Sequence, residues 1–154
     1  MTPAFDIDVP AGSDAFIGFD PGRDKCGLAI LDRSSKVHFL EISTSDRALA
    51  RIQELVAALS EANSIRLVMG DRTTSKQWAK QLRQALPDLE LCTVDEHNSS
   101  QEARKRYWDF FPPKGVTRLI PLGLREPPRP IDDIAAVILV ERYLQQSPGE
   151  ASRR

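Results

Sequence analysis

Three short apolar runs follow one another near the start of this chain with only a few polar residues between them, and then the spacing of the apolar residues changes. AFIGFD (15–20), CGLAILD (26–32) and KVHFLEI (36–42) each have strand length, separated by a Pro21-Gly22 turn signal and by Arg33-Ser34-Ser35. Links this short predict an antiparallel meander, because a parallel return needs a crossover of about a dozen residues or more. Beyond it, Leu49, Ile52, Leu55, Val56 and Leu59 recur at helical spacing, behind capping candidates at Ser43-Thr44-Ser45-Asp46. IRLVMG (65–70) reads as a buried strand, and residues 74–86 as a helix with Trp78, Leu82 and Leu86 on one face. LELCTV (89–94) is a fifth strand. A helix then starts near Ser99, where Ser99 and Glu102 have capping-box spacing. A proline-rich loop over 112–130 leads to a last, largely buried helix, IDDIAAVILVERYL (131–144).

The order β-β-β-α-β-α-β-α-α predicts an α/β fold: a mixed five-stranded sheet with helices on both faces. At 154 residues the chain has room for one domain, expected over 15–146. Residues 1–14, rich in Pro, Gly, Ser and Asp, read as a flexible arm, and 147–154 as a disordered tail. No apolar run approaches the roughly 20 residues that cross a bilayer, and the first residues lack the basic-then-apolar pattern of a secretory signal. Cys26 and Cys92 sit inside apolar strands, as buried reduced thiols do. A cytoplasmic protein without a membrane partner is expected. The net charge of -1 does not announce a nucleic-acid binder. The distribution is more telling: Arg72, Lys76, Lys80 and Arg83 fall in a stretch without acids, and basic residues outnumber acids from 98 to 130.

Acids stand at the ends of the apolar strands. Asp20 ends the first, Asp71 follows the fourth, Asp95-Glu96 follow the fifth, and Asp132-Asp133 open the last helix. In an open sheet with parallel central strands, the carboxyl ends of neighbouring strands converge on one edge. Carboxylates gathered there repel one another unless a cation neutralises them, and hard ions such as Mg²⁺ or Mn²⁺ suit that oxygen-rich setting. Metal ions so held hydrolyse phosphodiester bonds. Each acid also has an ordinary reading. Asp20 starts a turn, Asp71 and Asp95 cap helices, and Asp132 and Asp133 sit where a helix dipole favours acids. His38 alternates with apolar residues and reads as structural; His97, beside Asp95-Glu96, reads as a surface residue or a proton carrier. Lys76, Lys80 and Arg83 lie on one stripe of their helix, opposite Trp78, Leu82 and Leu86, and are expected to face solvent or a phosphate backbone.

Three segments resemble the YqgF/RuvX family, in that family's order and across nearly the whole domain. They are Ile17-Gly18-Phe19-Asp20-Pro21-Gly22-Arg23-Asp24-Lys25-Cys26-Gly27-Leu28-Ala29, Thr93-Val94-Asp95-Glu96-His97-Asn98-Ser99-Ser100-Gln101-Glu102-Ala103, and Ile131-Asp132-Asp133-Ile134-Ala135-Ala136. The resemblance implies a ribonuclease H-like fold and a nuclease that resolves Holliday junctions or processes the small-subunit ribosomal RNA precursor. Carried over by position, Asp20, Glu96 and Asp132 are the implied catalytic acids and metal ligands, with Asp71, Asp95 and Asp133 as further candidates. Lys25, Arg72, Lys76, Lys80, Arg83 and Ser99 are the candidate substrate-binding residues. A two-fold symmetric junction favours a homodimer. The chain departs from the family at Gly70-Asp71-Arg72-Thr73, where Gly-Leu-Pro is usual, and at His97, where arginine is usual. Two other readings stand beside this one: an actin-like or sugar-kinase ATPase, which would need a second related domain, and a nucleic-acid-binding or assembly module that keeps the fold without the chemistry.

Overall fold

A computed structural model describes residues 7–72 and 74–146. The meander forms as its short links require. Strands β1 (Asp14–Pro21), β2 (Lys25–Asp32) and β3 (Val37–Thr44) pair antiparallel in chain order. The β2–β3 turn is closed by the Asp32 side chain. Its Oδ1 accepts from the Ser34 and Lys36 amides at 2.8 and 3.2 Å, and its Oδ2 lies 2.8 Å from His38 Nε2. His38 is thus bound into the turn.

Helix α1 (Ala48–Ala58) then carries the chain over to β4 (Ser64–Gly70), which lies parallel to β1, and α2 (Ser75–Ala85) carries it to β5 (Glu90–Val94), parallel to β4. The sheet order is β3-β2-β1-β4-β5, with β1 in the centre. Helices α3 (Ser99–Phe110) and α4 (Asp132–Gln146) complete the fold. This is the mixed five-stranded α/β sheet expected of a ribonuclease H-like chain.

Alternation along the strands divides the core. Ala15, Ile17 and Phe19 of β1 join Leu28, Ile30, Leu67 and Met69 under α1 and α2, where the Trp78 ring meets Phe19 edge-on at 5.0 Å. Phe16, Ala29, Leu31, Val68 and Val94 face the other way, onto Ala136, Val137 and Val140 of α4. Helix α3 packs against the outer side of α4 through Ala103 and Tyr107. The apolar face of α2 is therefore buried as its spacing predicts, and Lys76, Lys80 and Arg83 are exposed. Close approach of α4 depends on Gly18 of β1, since a Cβ there would overlap the Ala136 carbonyl.

Local details differ from the sequence reading. Arg47, not a residue of 43–46, caps α1, and Asn98, with φ 60°, caps α3; neither makes a side-chain cap bond. Glu102 binds Arg142 at 2.9 Å instead of closing a capping box, because α4 presents a guanidinium within its reach. The proline-rich loop contains two 3-10 turns, Gly115–Leu119 and Leu122–Leu124. Of the expected arm, Ile7 and Val9 pack on the α1/α2 core, and the Gly12 amide donates to the Glu61 carbonyl at 3.0 Å. Residues 1–6 of that arm, and the expected tail from 147, lie outside the described residues. Among the described residues no helix is long and apolar enough to cross a membrane.

Candidate active site

Asp20 continues the side of β1 that carries Phe16 and Gly18, so its carboxylate leaves the sheet on the α4 face. Across the sheet it pairs with Gly27 of β2. The Asp132 carbonyl lies where a Cβ on Gly27 would stand, so the first residue of α4 is seated directly over that pair. On the other side, Phe19 pairs with Met69, which makes Gly70 the neighbour of Asp20 on β4. The Glu96 carboxyl fills the space over Gly70 that any larger residue would occupy. Glu96 follows the inward Val94 by two residues and keeps its facing. Three acids from distant segments thus share one edge of one face.

Two cations, Lys25 and Arg72, stand against these three acids. Asp20 is pushed up from its ordinary 3.8 to about 7, chiefly by burial, then by the Asp132 and Glu96 carboxylates, with Arg72 opposing. Asp132 is also pushed up, mainly by burial; its own backbone amide opposes, Asp133 adds to the rise and Lys25 opposes. Glu96 is 7% exposed, and its Oε1 accepts from the Arg72 amide at 3.0 Å and lies 3.2 Å from Arg72 Nε. The Ser99 amide donates to the Glu96 carbonyl at 3.0 Å, fixing the turn that aims this side chain. The donors are all carboxylate oxygens, the set a hard divalent cation takes. Among the described residues no three Asp, Glu, His or Cys side chains are gathered tightly enough to hold an ion as they stand.

The other candidate acids are not brought to this edge. Asp133 is buried and turned toward α3, paired with Arg129 at 3.1 and 3.2 Å, and its Oδ1 accepts from the Ile134 amide at 2.9 Å. Asp71 is exposed, and the alternation of β4 places it on the α2 face with Leu67 and Met69. Asp95 is exposed and makes a local turn, its Oδ1 accepting from the His97 amide at 2.9 Å. Among the cations, Lys25 and Arg72 stand by the acids. Lys76 and Arg83 line a shallow groove of about 290 Å³ beside Leu91 and Thr93 of edge strand β5. Three further residues matter here. Gly27 and Gly70 matter only through what approaches them, for which one sequence carries no signal. Arg129 was legible through its i, i+4 spacing to Asp133.

No curated protein matches the chain. One solved structure, described as a "ROK family transcriptional regulator, homolog of E.coli MLC protein", is similar at 14% identity and TM-score 0.43, over 63% of this chain and 31% of that one. That likeness is too slight to bear on fold or function. The family comparison is of another order: the model described as "RuvX: Holliday junction resolvase" matches residues 14–146, from the first residue of β1 to the last of α4 and across all three acid-bearing segments. With β1, the turn after β5 and the start of α4 all inside that match, the chain belongs to the RuvX family of Holliday junction resolvases.

Proposed function

We propose that this chain hydrolyses phosphodiester bonds at branch points and other structured sites in nucleic acid, with Asp20, Glu96 and Asp132 as its catalytic acids. The carrying observation is their convergence on the α4 face, with a half-buried Asp20 beside two further carboxylates. Bringing three acids together against only two cations costs stability, and the cost is tolerated where a metal ion or a reacting phosphate uses them. Asp20, Glu96 and Asp132 fit Mg²⁺ or Mn²⁺ by donor type; a bound ion of this kind activates water and stabilises the departing oxygen. The chain itself supplies orientation. The Arg72 amide and the Ser99 turn fix Glu96, the seat on Gly27 fixes Asp132, and Lys25 and Arg72 are exposed where a phosphate would approach.

The proposed substrates are four-way DNA junctions and the folded precursor of small-subunit ribosomal RNA, which share the phosphodiester chemistry, encountered in the cytoplasm. A homodimer matches the two-fold symmetry of a junction. The test is cleavage of both substrates with and without divalent ions, by wild type, Asp20→Asn and Glu96→Gln. Wild type is expected to cut only with the ion, and both variants to lose cutting while still folding. Cutting that survives either substitution refutes the assignment.

A further inference from the structure

The end of α3 and the proline-rich loop enclose a cleft of about 500 Å³, separate from the acidic edge. Its walls carry Tyr107, Trp108, Phe110 and Phe111, with Lys114 and Glu126 as exposed polar lining. The ring of Tyr107 stands edge-on to Trp108 at 4.9 Å and tilted against Phe111 at 5.0 Å, so the aromatic wall is preassembled. The Trp108 indole N–H is buried and finds no hydrogen-bond partner among the described residues, which is unusual for a buried indole. The loop continues this surface outward with Val116 and Leu119, 77% and 85% exposed.

Two features tie the cleft to the acidic edge and to a polyanion. Arg129 spans the distance: its guanidinium binds the Asp133 carboxylate and stands over the Tyr107 and Phe111 rings at 5.3 and 4.9 Å. The cleft therefore lies one arginine away from the helix start that bears Asp132. Lys114 lines the cleft and Arg118 follows the lining Thr117, and neither has an acidic partner among the described residues; the one acid of the lining, Glu126, lies 4.0 Å from Arg104. An aromatic wall with free cations at its rim is the recognition chemistry of unstacked bases on a phosphate chain.

We propose that this cleft receives an unpaired nucleobase from the branch point of the substrate, stacked on the aromatic end of α3, while Lys114 and Arg118 hold the flanking phosphates. The proposal rests on the nuclease reading and adds how the enzyme distinguishes a branch from continuous duplex. A base inside continuous duplex must leave two stacking neighbours to enter a concave aromatic site; a base at the branch point of an unstacked junction has one neighbour fewer and costs less to extrude.

The test measures binding in EDTA, where no cutting occurs, to a four-way DNA junction and to a duplex of the same sequence. Wild type, Phe111→Ala, Phe111→Trp and Thr117→Trp are compared, the last to fill the cleft. Phe111 and Thr117 are far from full burial, and circular dichroism checks each fold. Wild type should prefer the junction, and 2-aminopurine placed at the branch should change fluorescence on binding. Phe111→Ala and Thr117→Trp should each weaken junction binding by about tenfold and leave duplex binding unchanged, with Phe111→Trp restoring the preference. Equal losses on junction and duplex, or no loss on either, overturn the proposal. So does a change of oligomeric state with unchanged DNA affinity, which would make the surface an interface between copies. Any of these failures leaves divalent-dependent cutting by the acids intact, so the two readings fail separately.

Discussion

Replacing Asp20 by asparagine should stabilise this protein at neutral pH. In the fold Asp20 titrates at about 7, against 3.8 for an ordinary aspartate. Its folded-state value is raised, so between about pH 4 and 7 the native chain keeps a proton that the unfolded chain has released. Stability therefore falls as pH rises through that window, and the full cost is present above it. About three units, at about 1.36 kcal/mol each, make roughly 4 kcal/mol. Asparagine keeps the shape and carries no charge, so the variant escapes this cost. Urea unfolding in EDTA at pH 4.5, 6, 7 and 8 reads it directly. The stability advantage of Asp20→Asn should be smallest at pH 4.5 and grow by a few kcal/mol by pH 8. Mg²⁺ should then narrow the gap by stabilising wild type alone. Parallel pH curves for the two proteins would show that Asp20 is not held at the expense of the fold, and the claim of a strained acidic edge would fall with it.

Gly70→Ala places a methyl group against the Glu96 carboxyl, the movable end of a side chain. Its stability loss should stay near about 1 kcal/mol while cutting collapses, whereas Gly27→Ala meets the Asp132 backbone and should cost several times more by calorimetry. Asp71→Asn and Asp95→Asn should keep cutting rates within about twofold of wild type, since both residues are exposed and neither raises Asp20. Lys76→Ala/Lys80→Ala/Arg83→Ala should flatten the salt dependence of DNA binding by about one unit of log–log slope for each phosphate no longer neutralised. An unchanged slope would leave that stripe to solvent.

Much of this architecture was readable from the chain alone. Strand-length apolar runs with short links dictate a meander, and a helical period between later runs dictates crossovers, because both follow from local geometry and loop length. The burial of Trp78 and Leu82 beneath an exposed basic stripe on α2 has the same origin. The candidate acids could be named for the same reason: a carboxylate at the end of an apolar strand shows in sequence. The side of the sheet on which each acid falls follows from strand alternation, so the separation of Asp71 from Asp20 needed only the strand pairing. The capping box that spacing predicts at α3 does not close, because Glu102 meets Arg142, a partner that only the fold supplies.

The selection among the acids belongs to the tertiary structure. Asp132 and Asp133 are adjacent in sequence, yet their backbones meet different surroundings: Asp132 is seated over Gly27 beside Asp20, and Asp133 is turned to Arg129 and the aromatic end of α3. Asp95 and Glu96 divide in the same way, one in a solvent turn and the other over Gly70. Sequence by itself determined the elements, their order and the pool of acids, since those depend on residue type and spacing along the chain. Which acids meet, how far burial raises Asp20, and the aromatic cleft one arginine away depend on approaches between segments far apart in the chain. Those distances exist only once α4 has packed on the glycines of β1 and β2.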